Sequence, residues 1–337
     1  MNIIIATEKP AIAKAIAPAV RAHWPSDSIT FFNVVPYGNI LFAYPRGLKA
    51  ADFPHIGRPQ DRLRDWRDWN CKPIGMGADG MLTEMPTARP ELLTQADLIV
   101  FACDPDHTGV TGFAVLMEQV FGDDRWSECP AIWLSSIDRD SILRALSAIA
   151  PFGAVAAKPL EYGRVKRYFD WNWNTNSLAV FGATMRSVGI PSDAPPLSKY
   201  ALQLLYALRG KATLSCGDIV GLMARWRGTG RYADEKSTWR QRLGSAASHA
   251  AILDNLVSAG LLRVLQRGDS ESDRLEVSPL GNALLQALHP DCEDPDLPFR
   301  LDAWCSAGQA SLPPIDKYIR TFFGKQTRFK PATAQMQ

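Results

Sequence analysis

The chain has 337 residues, of which 46% are apolar, enough for two or three domains with full hydrophobic cores. Its 37 basic and 35 acidic residues leave a formal net charge of +2, so overall charge gives no argument for nucleic-acid binding, and any basic surface must be local. The six cysteines show no C-x-x-C spacing, which argues against a zinc ribbon and a disulfide framework and fits a reducing compartment.

The first residues predict a strand and no targeting segment. "MNIIIATEKP" has no basic region before its apolar run, and that run is too short for a signal peptide. No stretch of the sequence approaches the roughly 20 apolar residues that span a bilayer. We therefore expect a soluble, cytoplasmic protein with no membrane partner.

Strands alternate with helices over residues 1–150. "NIIIA" is a β-branched run typical of a buried strand, and Pro10 suits the first turn of the helix that follows. Further along lie two strands around a Tyr-Gly turn in "FFNVVPYGNILFAYP", a helix and a strand in "RPELLTQADLIVFACDPD", the helix "TGFAVLMEQVFG", the strand "AIWLSS", and the helix "DRDSILRALSAIA", capped by Asp138 or Asp140. This order predicts an α/β domain with a mainly parallel sheet and flanking helices.

The pattern changes after residue 150. "EYGRVKRYFDWNWNTNSLAVFGATM" is a basic and aromatic helical stretch, and a Pro/Ser break follows it. Amphipathic helices then lead to "LLRVLQRGDSESDRLEVS", which is typical of two short strands around a polar turn. Residues 151–290 therefore predict a mostly α, winged-helix-like domain. Residues 291–337 predict a loosely attached C-terminal tail with a helical piece around "PIDKYIRTFFG".

Three acidic residues follow two predicted strands of the first domain. Glu8 comes after the first strand, and Asp104 and Asp106 come after "LIVFA". Ligands gather at the carboxyl ends of strands in an open parallel sheet, so these carboxylates meet if the two strands are neighbours. Their repulsion favours a hard cation such as Mg²⁺ between them, with Lys9 contacting a phosphate. A D-x-D pair after a strand is also typical of an Asx-turn or a helix cap, and spacing does not separate the two interpretations.

Six regions match the motifs of one enzyme family in the order that the family has them. They are "MNIIIATEKPAIAKAIA", "NVVPYGNILFAYP", "ADLIVFACDPDHTGV", "CPAIWLSSIDRDSILRALSAI", "GRVKRYFDWNWNTNSLAVF", and "RLGSAASHAAILDNLVSAGLL" with "LEVSPLGNALLQAL" after it. They cover most of residues 1–290 and resemble the type IA DNA topoisomerases, topoisomerase III in particular. The resemblance implies a TOPRIM domain over residues 1–150, magnesium bound by Glu8, Asp104 and Asp106, and catalytic roles for Glu8 and Lys9.

The chain departs from the family in two respects. In the family's acidic motif, the third acid falls on Thr108 and a neighbouring acid on Val110, so the metal site has fewer charges. The family also inserts a toroidal arch, which carries its nucleophilic tyrosine, where this chain has only residues 181–195. Independent domains rarely fold below roughly 40 residues, so the arch is missing near residues 182–196. None of the eight tyrosines stands in the family's Y-x-R-T-D motif.

One helix carries a mixture of cations and aromatic rings. Its candidate DNA contacts are Arg164, Lys166, Arg167 and Trp171. Such a mixture suits single-stranded DNA, because bases stack on rings and the phosphates follow the cations. The Asp170-Trp171 pair matches the family's D-W motif. The alternative is an ordinary helix whose aromatic residues pack inward while its cations are solvated.

A second candidate DNA contact lies at the start of a later helix. Gly244, Ser245 and Ser248 lead into a helix predicted to begin near His249. Exposed N–H groups at a helix N-terminus bind phosphate readily. The family has Arg where His249 stands, which implies a weaker, pH-dependent contact. The alternative is a helix cap with no ligand.

The sequence thus predicts a topoisomerase-III-like protein that binds single-stranded DNA with Mg²⁺ at a TOPRIM acidic site. Autonomous relaxation of DNA is not expected, because no nucleophilic tyrosine is evident. One alternative is a TOPRIM nuclease, in which metal-bound water takes the place of the tyrosine. Another is a non-catalytic DNA-binding partner of a separate topoisomerase.

Overall fold

The chain divides into two compact units. A computed structural model describes residues 1–33, 42–68, 71, 73–86, 90–122, 125–233, 240–266, 268 and 272–331. The first unit comprises residues 1–44 and 58–167, and the second comprises residues 45–57 and 168–337. The second unit thus includes a short segment from within the region that the sequence analysis assigned to the first domain.

The first unit is built on a sheet with seven strands in the described residues. They are β1 (Asn2–Thr7), β2 (Ser28–Asn33), β3 (Ile74–Met76), β4 (Leu82–Glu84), β5 (Leu98–Phe101), β6 (Pro130–Ala131) and β7 (Ala150–Pro151), in the order β4-β3-β2-β1-β5-β6-β7. The central strands β2, β1, β5 and β6 run parallel, and the outer strands pair antiparallel. The predicted α/β architecture is confirmed, and the predicted Tyr-Gly turn at residues 37–38 lies outside the described residues.

Four α-helices contribute to the described part of the first unit. They are α1 (Pro10–His23), α2 (His107–Phe121), α3 (Arg139–Ser147) and the part of α4 (Phe152–Asn176) up to Arg167. The apolar residues of α1 recur at helical spacing and share one core cluster with Ile3 and Ile5 of β1. Asp138 is the cap of α3, because its side chain accepts a hydrogen bond from the N–H of Ser141. The helix predicted in "RPELLTQ" is a 3₁₀ helix, Pro90–Gln95.

The strand order reverses beside β1. This strand pairs with β2 on one side, after the crossover through α1, and with the later strand β5 on its other side. In an open parallel sheet such a reversal leaves a crevice at the carboxyl ends of the two neighbouring strands, and ligands bind there. The residues that follow β1 and β5 therefore occupy the position where a ligand is expected.

The described part of the second unit is mostly helical, with one small sheet. Its elements are a π-helical turn (Ser177–Phe181), α5 (Gly182–Ser187), α6 (Lys199–Leu208), β8 (Leu214–Ser215), α7 (Cys216–Ala224), α8 (Ala246–Ser258), β9 (Leu262–Gln266), β10 (Arg274–Val277), α9 (Pro279–Ala287), α10 (Leu297–Ser306) and α11 (Leu312–Arg328). The predicted pair of strands is present as β9 and β10, which are antiparallel, and β8 adds a third strand beside β10.

An aromatic cluster forms much of the core of the second unit. The ring of Trp173 lies 4.8 Å from that of Phe322 and 5.1 Å from that of Phe323, measured between centroids. Phe181 packs on the same two rings of α11. Residues 291–337, predicted as a tail, thus carry two α-helices in their described part, and α11 supplies core residues.

Within the part of the chain that the structure describes, no helix combines the length and the apolar character needed to cross a bilayer.

Candidate acidic site at the carboxyl ends of β1 and β5

The register of the sheet brings the ends of β1 and β5 together. Ala6 is paired with Phe101, and the N–H of Ala102 donates to the carbonyl oxygen of Ala6 at 2.8 Å. The residues that follow each strand therefore leave the sheet side by side. Lys9 Nζ lies 3.2 Å from Asp104 Oδ2, which joins the two connections by an ion pair. Both side chains of this pair are well exposed, so its contribution to stability is small.

Glu8 lies in an environment that disfavours its ionised form. Burial and the negative charge of Asp104 raise the pKa of Glu8 to about 7, and Asp106 adds a smaller effect of the same sign. The charge of Lys9 opposes the shift without cancelling it. Glu8 Oε2 is buried and has no hydrogen-bond partner among the described residues. A side-chain hydrogen bond with Asp104 also raises the pKa of Glu8, so the two carboxyl groups lie close together while one oxygen of Glu8 has no partner.

Asp106 caps a helix. Its Oδ1 accepts hydrogen bonds from the N–H groups of Thr108 and Gly109, at 2.8 and 2.9 Å, at the start of α2. The helix-cap interpretation of the D-x-D pair thus applies to its second aspartate. Gly109 permits the close packing of this turn, because a Cβ there would lie 2.4 Å from the carbonyl oxygen of Asp104.

The site provides two converging carboxylates, those of Glu8 and Asp104, which is fewer than a metal ion needs for a complete coordination shell. Among the described residues no group of three or more histidine, cysteine, aspartate or glutamate side chains has the geometry of a metal site. Thr108 and Val110 stand where the family has acids, and both are uncharged, so neither position adds a negative charge to the site. Val110 is fully buried, and the backbone N–H of Thr108 donates to Asp106. Two hard oxygen donors suit Mg²⁺, which keeps several waters and uses one or two carboxylates. The unsatisfied oxygen of Glu8 fits such an ion.

The candidate DNA-binding residues of α4 have partners within the protein. Arg164 pairs with Glu118, and the guanidinium of Arg167 lies 5.3 Å from the centroid of the Phe42 ring. Lys166 is partly buried. Trp171 is 3% exposed, and a Cβ on Gly57 would lie 3.0 Å from its ring. In this conformation the indole packs inward, as the alternative interpretation of this helix supposes.

Residues of α4 also form an ion pair and an aromatic contact that no sequence pattern indicates. Asp170 Oδ1 lies 2.8 Å from Lys199 Nζ, so the acid of the D-W pair is neutralised within the second unit. In the first unit, the rings of His107 and Tyr162 lie 5.2 Å apart between centroids. This pair places a tyrosine next to the residue that follows Asp106. Its members are far apart in sequence, so no spacing indicated the contact.

The second predicted DNA contact lies at the N-terminus of α8. The helix begins at Ala246, three positions before the predicted start. Ser245 is its N-cap residue and makes no side-chain cap bond, and Ser248 Oγ donates to the carbonyl oxygen of Ser245 at 2.8 Å. His249 is 3% exposed, and its Nε2 lies 3.2 Å from the carbonyl oxygen of Gly244. The imidazole is thus engaged with the turn that precedes the helix.

The interval in which the family carries its arch is short and fully described. After α4 it contains the π-helical turn and α5, and Ser198 caps the next helix. No inserted domain lies between residues 177 and 198, which are all described.

Neither a scan of the sequence against protein-family models nor a search against curated proteins gives a match.

Proposed function

We propose that this chain is a topoisomerase-III-like protein that binds single-stranded DNA with Mg²⁺ at the acidic site. The observation that carries the proposal is the convergence of Glu8 and Asp104 at the point where the strand order reverses. The buried oxygen of Glu8 that has no hydrogen-bond partner, beside the negative charge of Asp104 that raises the pKa of Glu8, supports a cation there. Lys9, exposed beside Asp104, supplies a positive charge for a phosphate group.

The fold supports a TOPRIM assignment for the first unit and a winged-helix assignment for part of the second. The parallel order β2-β1-β5-β6 with crossover helices is compatible with the first. The succession α6, β8, α7, α8, β9 and β10 is compatible with the second, because helices lead into a small antiparallel sheet. Both assignments rest on the motif resemblance together with this order of elements.

Magnesium would be held by Glu8 and Asp104, with Asp106 near enough to contribute charge. A bound Mg²⁺ neutralises phosphate oxygens and orients a nucleic-acid backbone. The protein itself contributes the phosphate contact of Lys9 and the fixed positions of the carboxylates. Strand passage is not part of the proposal, because the interval 177–198 carries no arch.

The test is a pair of binding titrations. Wild-type protein is expected to bind a labelled single-stranded oligonucleotide more tightly in Mg²⁺ than in EDTA. Asp104→Asn should remove that difference, because it deletes one of two donors, whereas Asp140→Asn on the exposed start of α3 should retain it. Equal affinity of the wild type with and without Mg²⁺ would refute the metal-dependent part of the proposal.

A Mg²⁺-dependent nuclease is the second candidate. Its specific support is the convergence of Glu8 and Asp104 at the crevice beside Lys9, where a bound Mg²⁺ would activate a water molecule against a phosphate group. Incubation of labelled single strands with Mg²⁺ separates the two functions. Cleavage that Asp104→Asn abolishes indicates the nuclease, and binding without cleavage indicates the first function. A covalent protein–DNA adduct or relaxation of supercoiled DNA would contradict both.

A further inference from the structure

A groove on the second unit is lined by three cations and several apolar side chains. Its volume is about 860 Å³. The cations are Lys211, after α6, and Arg225 and Arg227, after α7. Leu214 and Leu222 contribute apolar surface beside them. A cationic lining with an apolar part distinguishes this groove from a uniformly polar surface.

The cations of the groove are available to a ligand. All three are exposed, and none forms an ion pair within 4.0 Å among the described residues. The groove is also lined by one acid, Asp218, whose pKa is lowered by hydrogen bonds from Ser215 and, to a smaller extent, by the charge of Arg225, so three cations face one carboxylate. Its Oδ2 accepts from the backbone N–H of Ser215 at 3.3 Å in the capping box of α7, and from Ser215 Oγ at 2.7 Å. The groove therefore presents an excess of positive charge.

The wall of the groove is held in place before any ligand arrives. Trp226 stands between the two arginines, and its Nε1 donates to the carbonyl oxygen of Pro295 at 2.8 Å. A little further on, the N–H of Thr229 donates to Asp296 Oδ1 at 2.5 Å. Because the backbone that carries the arginines is fixed, a ligand spends less binding free energy on ordering it.

We propose that this groove binds an acidic peptide segment of a partner protein, with large apolar side chains among its carboxylates. Arginine forks match carboxylates, and the leucines offer a place for the apolar side chains. A single-stranded nucleic acid is the poorer fit, since it binds such surfaces by stacking on exposed rings. Trp226 is only 5% exposed and offers no such ring face. This site is separate from the acidic site, and the inference does not depend on the proposed function.

The test uses a short fluorescein-labelled peptide in which aspartates flank two phenylalanines. Fluorescence anisotropy is expected to show saturable binding to the full-length protein. Arg225→Glu and Lys211→Glu should each weaken it roughly tenfold, as expected for the loss of one charge-assisted contact. Arg320→Glu makes the same charge change at an exposed position of α11 and should have no effect. Because the replaced side chains are exposed, circular dichroism should show unchanged folding.

Two altered peptides complete the test. Replacing the aspartates by asparagine or the phenylalanines by serine should each weaken binding, because the groove uses both charge and apolar contact. If the peptide with serine in place of phenylalanine bound equally well, the groove would be attracting any acidic peptide by charge alone, and the proposal would be wrong. Unchanged affinity in both groove variants would also overturn the proposal. Displacement of the peptide by a single-stranded oligonucleotide, with the same loss in Arg225→Glu, would assign the groove to nucleic acid instead.

Discussion

Glu8 is held in a conformation that the folded chain stabilises poorly. Its buried Oε2 lacks a hydrogen bond, and a buried polar group in that state costs roughly 1–3 kcal/mol. Its pKa of about 7 results from burial first and from Asp104 second. Residues with such strongly shifted pKa values concentrate at functional sites. The physical cost and the proposed metal-binding role therefore concern the same carboxylate.

The raised pKa makes a prediction about stability and pH. The folded protein binds a proton at Glu8 more tightly than the unfolded chain, whose reference pKa is 4.5, so the contribution of Glu8 to stability falls as the pH rises from 4.5 through about 7. Glu8→Gln removes the charge, and its melting temperature at pH 8 should exceed that of the wild type by roughly 2–4 °C. The difference should vanish near pH 5 in thermal scans, and the exposed control Glu84→Gln should show none. A difference independent of pH would contradict the assignment.

Asp106 caps α2 and is also proposed to add negative charge to the metal site. Two substitutions distinguish these two roles. Asparagine is as good an N-cap as aspartate, so Asp106→Asn should retain stability, whereas Asp106→Ala should lose about 1 kcal/mol. Both variants remove the negative charge and should weaken Mg²⁺ binding equally, as measured by calorimetry. If Asp106→Asn binds Mg²⁺ as the wild type does, the role of Asp106 is confined to capping α2.

At the scale of elements, two asparagines of α4 bind an extended segment of the second unit. Asn172 accepts from the N–H of Gly57 at 2.9 Å and donates to its carbonyl oxygen at 3.0 Å. Asn176 forms the same reciprocal pair with His55, at 2.7 Å for both bonds. The two asparagines are one turn apart on the helix, and their partners His55 and Gly57 are two positions apart on the extended segment. Both pairs of residues therefore point to the same side of their element, which lets both asparagines bind the segment at once. This contact explains why residues 45–57 belong to the second unit.

The asparagine contact predicts a large loss of stability on truncation. Asn172 is fully buried, and Asn172→Ala removes both of its hydrogen bonds to the half-buried Gly57, at roughly 0.5–1.5 kcal/mol for each bond, and leaves a cavity in place of the amide. We expect a loss of at least about 2 kcal/mol in urea unfolding. Asn255→Ala, on the exposed face of α8, should change stability by less than about 0.5 kcal/mol. A loss as small as that of the control would show that the paired amides are not needed.

The sequence supported prediction where local pattern determines structure. Alternating strands and helices indicated the α/β sheet, and strand ends located Glu8 and Asp104. Local pattern does not decide whether Trp171 packs inward, because its packing depends on Gly57, which is distant in the sequence. The long-range pairs of Asp170 with Lys199 and of His107 with Tyr162 are not predictable from sequence for the same reason. Periodicity shows which residues face a core and does not show which partners they meet there.

At the scale of the whole molecule, the C-terminal region completes a core that earlier residues begin. The sequence predicts a loosely attached tail with a helical piece and a polar end, yet Ile315, Ile319, Phe322 and Phe323 recur on one face of α11 and are buried. Trp173 and Phe181 precede this helix by more than a hundred residues, and both rings pack on Phe322 and Phe323. The second unit therefore cannot finish its core until α11 has been added.

Truncation tests this dependence. Burial of each large apolar side chain of α11 contributes roughly 1.5–3 kcal/mol, and four of them approach the roughly 5–15 kcal/mol that stabilises a whole domain. A chain ending at residue 290 should therefore lose the cooperative unfolding of the second unit, followed by near-ultraviolet circular dichroism, whereas a chain ending at residue 331 should keep it. In the full-length chain, Phe323→Ala should cost about 3–5 kcal/mol, because it opens a cavity beside Trp173. Cooperative unfolding of the shorter chain with the signal of the wild type would mean that α11 is dispensable and that its aromatic residues only cover a core that is already complete.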